Sequence, residues 1–578
     1  MNSGVRLSLL TEKASGLAST VAALRWACPE RGRRARHIAT GVLPYLLVLL
    51  AFALRLYRID YQSIWRDEGV SLHLAASSIP AILANRAGDV HPPLYFILLH
   101  YWARLAGLSE LSGRFFSLMF GVLLVPSVYF VVGRVFGEGT ALVAMAIVAF
   151  SPLYVVYSQE VRTYSLLPLL YLFVIHRLYQ LGRGEGLSWR QWFGLAAVEV
   201  VCLHLHYFSI FAVVYMNLFV ALQWLRRRGV NLGRWLVSQV FVALCCVPWV
   251  WMVVRSWTAE SPPKPFHARP SQRMATLALA NFLWHFSNGG HDLRGHPLFA
   301  PLSSLLAVIF VAALLVSIKA DDRRRQTLLT LCHQMVPLSI VFMVSWWKPV
   351  ISARYIIMFT VPFFILMGRV IVVLIGTRGL AKLAGLFLAL TLAATFALGL
   401  GITFFDTYHF KDDARGMVEY LESLTNADDV IIVHPIDYAV GYYYTGEASI
   451  AMIDPDSAEG MASLEEALRG RRRAFLAWPL GSPIDKPGLL PFLLEMSGRF
   501  AGGESFKGYK VRIFELEREG ILLPKLEPVS ADFGDLRLTG AFYRQEVAAD
   551  DAICLALRWR LVRATERTYK VVVICNTR

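Results

Sequence analysis

Eleven apolar segments, each close to the roughly 20 residues a helix needs to cross a bilayer, leave this chain few alternatives to a polytopic membrane fold. They fall near residues 38–57, 112–133, 138–157, 162–181, 189–205, 207–225, 233–254, 298–318, 328–346, 351–375 and 380–404. With 56% of residues hydrophobic and 17% charged, most of the chain belongs in lipid and not in a soluble core. The expectation is a polytopic α-helical membrane protein of about eleven transmembrane helices.

The formal charge of +15 sits mainly in short clusters between the apolar runs. No basic patch interleaves with aromatics, so no nucleic-acid partner is expected, and the clusters read as topology signals. They lie at 31–36, Arg134, Arg183, Arg226 to Arg228, Lys319 with Arg323 to Arg325, and Arg378 with Lys382. All can be cytoplasmic only if the stretch 92–107, interrupted by His100 and Arg104, lies on the membrane surface as an interfacial helix. The loop at 58–91, the turns at 158–161, near 206 and at 347–350, the segment 255–297 and everything after 405 then share the extracytoplasmic face.

Residues 1–37 read as an uncleaved cytoplasmic arm, 38–405 as the membrane domain, 406–505 as an extracytoplasmic α/β domain and 506–578 as a β-rich segment. The tail opens with a helical pattern from Arg415 to Leu424 and a strand at Val430 to Val433. From Tyr509 to Phe514 and from Ala552 to Leu561 the pattern is strand-like, and the chain stops in another such run, Tyr569 to Cys575. That ending reads as a truncated β domain. Four of the seven cysteines (Cys202, Cys245, Cys246, Cys332) fall in apolar runs and read as packing residues; Cys554 and Cys575 can pair only in an oxidising compartment.

The polar groups of chemical interest all fall on the one outer face. Asp67-Glu68 follows the first membrane exit, and a carboxylate there can act as general base towards an acceptor hydroxyl or amine or hold a divalent cation. Asp89-Val90-His91-Pro92-Pro93 follows; its prolines fix an extended lead into the interfacial helix. His91 either caps this turn or faces the carboxylates as a phosphate, acceptor or metal contact. Ser158 to Tyr164 brings Glu160, Arg162 and Tyr164, an acid and a base that either pair with each other or aim at the same cavity. His206 and Tyr207 lie at the next outward turn. The segment 255–297 carries Lys264, His267, His285, His291, Asp292 and His296, with spacing that matches no metal motif. Lys348, Arg354 and Tyr355 bracket the turn before the tenth segment; the cations either snorkel or clamp a lipid-carrier phosphate, Arg as a fork and Lys as a point charge. The candidate metal ligands are Glu68, Asp89, Glu160 and His285.

In their order along the chain these elements resemble the bacterial branch of the GT-C membrane glycosyltransferases, which includes protein O-mannosyltransferases, the aminoarabinose transferase acting on lipid A and related lipopolysaccharide sugar transferases. The matching residues are Asp67-Glu68, Asp89 to Tyr95, Arg114 with Ser117, Ser151-Pro152 leading to Ser158-Gln159-Glu160 with Arg162 and Tyr164, His206-Tyr207, Lys348-Pro349 and Arg354-Tyr355. Lys411 to Gly416 is similar to the family's lead into its extracytoplasmic domain, with Ala414 where Trp is more common. The resemblance covers about residues 40–435.

It implies a GT-C fold in a plasma (inner) membrane and a polyprenyl-phosphate-linked sugar donor. It also implies a catalytic carboxylate at Asp67 acting on a glycan, lipid or protein acceptor. Some relatives carry Lys where His91 stands, as part of the donor phosphate site. Metal dependence varies across the superfamily, so the resemblance assigns no cation. Two rival expectations are a lipid-linked sugar flippase, which calls for charges at mid-membrane in broken helices, and a non-catalytic envelope scaffold.

Overall fold

The structure, a computed structural model, describes residues 29–89, 91–227, 229–259, 299–347, 354–455, 457, 459–480, 488–516, 528–532, 536–543 and 555–562. The chain divides into two units, Met1–Gln62 with Ser71–Phe410 and Ser63–Val70 with Lys411–Arg578. In chain order the helices up to residue 405 are α1 Pro29–Leu56, α2 Arg66–Ala76, α3 Ile79–Ala87, α4 Leu94–Ala106, α5 Glu110–Phe136, α6 Glu138–Phe150, α7 Pro152–Ser158, α8 Leu166–Gly182, α9 Trp189–Leu205, α10 Ser209–Leu225, α11 Leu232–Ala259, α12 Phe299–Ala320, α13 Arg324–Trp347, α14 Thr360–Ile375 and α15 Leu380–Phe405.

Each apolar segment read from the sequence coincides with a helix or a helix pair, and the chain is a multi-pass membrane protein. The expected count of eleven spans is not reproduced by length and composition, which among the described residues give five helices able to cross, or six with one bent pair. Length accounts for three of the missing spans: α8, α9 and α10 have 17 residues each and rise only about 26 Å, less than a hydrocarbon core of roughly 30 Å. The stretch 92–107 forms α4, whose 13 residues rise about 20 Å.

The segment 138–157 is not one straight span. It breaks at Ser151 into α6 and α7, bent by 53°, because Pro152 supplies no N–H to continue the ladder. Carbonyls freed inside a membrane domain need donors, and Arg55 provides them. Its fully buried guanidinium donates to Val148 O at 3.1 Å and Ala149 O at 2.9 Å. At Gly121 helix α5 passes so close to α7 that an added Cβ would stand 2.0 Å from Ser158 Oγ.

The two ends of the helical unit differ in chemistry. At one end arginines cap carbonyls across helices: Arg323 donates to Val135 O at 2.6 Å, Arg183 to Arg134 O at 3.1 Å, and Arg325 to Gly182 O. Arg369 pairs there with Asp321 and Asp322. These are the basic clusters that the sequence assigns to one face. The other end collects the opposite helix termini. Arg114 donates to Ile59 O at 2.8 Å and Gln62 O at 2.7 Å, and Gln159 donates to the carbonyls of Arg55 and Tyr57, both at 2.8 Å. The ring of Tyr57 lies 5.2 Å from that of Phe404.

The second unit contains α16 Ala414–Leu424, β1 Asp429–Val433, α17 Tyr438–Tyr443, β2 Ser449–Met452, α18 Gly460–Leu468, β3 Arg473–Pro479, α19 Leu489–Ser497, β4 Gly498–Phe506 and β5 Tyr509–Leu516, then β6 Ala531–Asp532, β7 Leu536–Tyr543 and β8 Leu555–Leu561. Helix α16 starts where Asp413 accepts the Gly416 N–H at 3.0 Å, and it buries Ala414, Met417, Val418 and Leu421, a single stripe at helical spacing. The first sheet has the order β2-β1-β3-β5-β4. Strand β1 is parallel to β2 and β3, whereas β5 is antiparallel to β3 and β4. Val430, Ile432, Leu476 and Phe514 pack with Leu464, Leu490 and Leu494 to form its core. Strands β6, β7 and β8 make a separate antiparallel sheet. The boundary drawn from the sequence at 505/506 therefore runs through the β4–β5 hairpin; a hydrophobic-pattern change marks a strand there, not a domain edge. The run Tyr569 to Cys575 and both Cys554 and Cys575 lie outside the described residues.

Candidate active site

Within the helical unit, four separate chain segments meet around two histidines. The first is the turn after α3. The Asp89 carboxylate accepts the His91 backbone N–H at 3.0 Å, which folds the turn, and His91 Nδ1 approaches the same oxygen at 3.3 Å. Arg86, one helical turn back, pairs with Asp89 at 3.0 Å and lies 4.9 Å over the Phe96 ring. Burial works to raise the Asp89 carboxyl, but the His91 hydrogen bond and the Arg86 charge outweigh it and hold the group below its ordinary value.

The second segment is the turn between α7 and α8, which presents Glu160, Arg162 and Tyr164, all buried. Ser117 on α5 holds this turn: its Oγ lies 2.8 Å from Tyr95 Oη and donates to Arg162 O at 3.1 Å, while Ser165 donates to Ser117 O at 2.8 Å. Arg114 and Ser117 thus support the end of the unit where the site lies.

The third is His206, the C-cap of α9, in extended conformation. Its Nδ1 accepts the Phe208 N–H at 3.1 Å, so in the neutral ring the proton sits on Nε2. That Nε2 is buried and has no hydrogen-bond partner among the described residues. An unpaired buried donor costs about 1–3 kcal/mol, a cost that a ligand acceptor would offset. Burial, with the positive charges of His91, Arg354 and Arg162, pushes the His206 pKa down to about 3.

The fourth segment is Arg354-Tyr355, just before α14. The Tyr355 ring lies 5.1 Å from His206, 6.1 Å from His91 and 5.2 Å from Phe208, with the Arg354 guanidinium 5.3 Å over Tyr355. Tyr164 stands 6.2 Å from His206 and 5.2 Å from Tyr157. Glu160 and Arg354 both lie within electrostatic reach of the Tyr157 hydroxyl.

The fold thus brings together seven of the residues picked from the sequence: Asp89, His91, Arg162, Tyr164, His206, Arg354 and Tyr355, with Glu160 beside them. Lys348 and His285 lie outside the described residues, as do the histidines at 267, 291 and 296. Arg86 was missed, although an Arg three residues before an Asp at a helix end is a legible pair. Tyr157 and Phe208 carry no sequence signal beyond being aromatic.

Asp67 and Glu68 belong to the other unit, in the first turn of α2. Glu68 is fully buried and pairs with Lys411 at 3.0 Å, while Asp67 stays partly exposed. Of the four candidate metal ligands, His285 lies outside the described residues and Glu68 belongs to the other unit; among the described residues no three His, Cys, Asp or Glu side chains group as a metal site. Glu68 faces Lys411 and Asp89 faces Arg86 and His91, so neither is placed in an acid-only cluster.

A family profile described as dolichyl-phosphate-mannose-protein mannosyltransferase matches residues 90–251, a range that contains His91, Glu160, Arg162, Tyr164 and His206. No curated protein matches the chain by sequence. In fold, the chain is similar to ArnT from Cupriavidus metallidurans in the apo state, with 14% identity and a TM-score of 0.52, covering 82% of this chain and 98% of that one. It is equally similar to the same protein bound to undecaprenyl phosphate, with 14% identity, a TM-score of 0.53 and the same coverage.

Proposed function

We propose that the chain is a GT-C-type membrane glycosyltransferase that moves a sugar from a polyprenyl-phosphate donor to an extracytoplasmic acceptor, a glycan, lipid A, another lipid or a protein; the mannosyltransferase profile over residues 90–251 and the ArnT-like fold support this reading. The similar structure that holds undecaprenyl phosphate supports this class of donor. The observation that carries the reading is the buried, unmatched His206 Nε2–H beside Arg162 and Arg354. A group with an acceptor oxygen and a negative charge would take the His206 hydrogen bond and be attracted by the two nearby arginines, and a phosphate has both.

In this reading the phosphate oxygens take the His206 proton donor and face Arg354 and Arg162, with Lys348 joining them. Asp67 removes the proton from the acceptor hydroxyl or amine. The acceptor atom then bonds to the anomeric carbon as the bond from that carbon to the phosphate oxygen breaks, and the phosphate leaves on its lipid. Positive charge fixed in advance around that leaving group lowers the barrier more than contacts made equally to the ground state. Glu160, Asp89 and Tyr164 line the sugar or acceptor side.

The reaction belongs at the outer face of the plasma membrane. The arginine-capped end of the helices would then be cytoplasmic by charge bias, with the His91–His206 end on the opposite side. The test is mass-spectrometric comparison of envelope glycans from cells with the wild-type protein and with Asp67→Asn. Loss of one sugar substituent in the variant, with unchanged protein level, is the expected result; an unchanged glycan profile overturns the proposal.

A further inference from the structure

Adjacent acids in one sequence motif invite a shared role, but successive helical positions point about 100° apart. In the first turn of α2 this sends Glu68 inward and leaves Asp67 partly exposed. The Glu68 carboxylate, with no exposed surface, meets Lys411 Nζ at 3.0 Å across 343 positions of sequence.

The rest of the segment Ser63–Val70 is tied down in the same unit. Ser63 Oγ donates to Asp412 O at 2.7 Å, and the Ile64 N–H donates to Tyr443 Oη at 2.8 Å. Arg66 lies within electrostatic reach of Asp412, Asp437, His434 and Tyr509. Gly69 passes so near Ala439 that an added Cβ would stand 2.7 Å from its backbone nitrogen.

We infer that Glu68 and Lys411 form a positioning pair, which fixes the rotation of the first turn of α2 and thereby the direction in which the Asp67 carboxylate is presented. The inference rests on the proposal that Asp67 is the base. In this role Glu68 acts through Asp67. A buried ion pair adds little net stability over an apolar pair of similar size, but it fixes geometry. Losing it therefore lowers turnover more than it lowers donor binding.

The experiment uses the full-length protein in liposomes with undecaprenyl-phosphate-linked hexoses and pentoses and an envelope lipid extract as acceptor, reading released undecaprenyl phosphate. Glu68→Gln and Lys411→Met each lower kcat at least tenfold with donor KM changed less than twofold. The double variant is no worse than the poorer single one, since both changes remove the same pair, and Lys411→Arg recovers most of the activity. Hydrogen exchange of residues 63–70 rises in both single variants while that of β1 stays protected. Wild-type kcat in the singles, additive losses in the double variant, or unchanged exchange at 63–70 overturns the inference. Full turnover in Asp67→Asn instead overturns the assignment of the base, and the exchange result still decides whether the pair holds the segment.

Discussion

The imidazole rings of His91 and His206 meet edge to face with centroids 5.6 Å apart. Two imidazoles this close, with Arg162 and Arg354 near His206, cannot readily both carry charge. The cluster therefore works with a neutral His206, a hydrogen-bond donor whose proton stays in place across the physiological range.

That has a pH consequence. The His206 pKa falls from an ordinary 6.5 to about 3 on folding, so the unfolded chain binds the extra proton between these values and stability declines as pH falls through that window. Above pH 6.5 the contribution is complete. Thermal melting in detergent from pH 7 to pH 4 should show the decline, and His206→Gln should make it shallower by the share of this one group.

Removing the donor should also weaken catalysis. His206→Ala is expected to lower kcat/KM by about 100- to 1,000-fold, the scale seen when one preorganised donor to a developing charge is lost. His206→Gln, which keeps an N–H, should lose less. Initial-rate measurements with a fixed donor separate the two.

Arg86 counters the burial penalty on Asp89. In Arg86→Met the Asp89 carboxyl moves up from its depressed value, which is held down by His91 and Arg86 against burial. Because the ionised form supports the His91 turn, activity is retained above the carboxyl's pKa and lost as pH falls through it. The acid limb of the rate profile should shift to higher pH in the variant.

Close packing at Gly121 gives a prediction about stability. Gly121→Ala places a Cβ 2.0 Å from Ser158 Oγ and 2.9 Å from its Cβ, and overpacking of this kind costs about 1–3 kcal/mol. Adding Ser158→Gly removes both clashing atoms and should recover part of the melting temperature, the remainder being the lost acceptor of the buried Arg55 Nε.

Much of this was legible in the sequence because membrane helices are written locally. Apolar length locates the helices, and the arginine clusters at 134, 183 and 323–325 mark one end of them, where those side chains cap neighbouring carbonyls. Residues at the opposite helix ends, His91, Arg162, His206 and Tyr355, follow from the same alternation. The break at Ser151 was less legible, since Pro152 lies in an unbroken apolar run and only the donors of Arg55 make the bend tolerable. The role of Glu68 was not legible at all, because its partner is Lys411 and no local pattern links positions so far apart. The hairpin across 505/506 was missed for a related reason: a turn between two strands resembles a domain edge until the pairing is known.

The membership of Ser63–Val70 in the same unit as Lys411–Arg578 sets a rule for recombination. The two units are interleaved along the chain, so a graft cut only near residue 411 would deliver a tail without the short strip that belongs to it. Exchange between relatives has to move both pieces at once, and a chimera that carries just one would part Glu68 from Lys411.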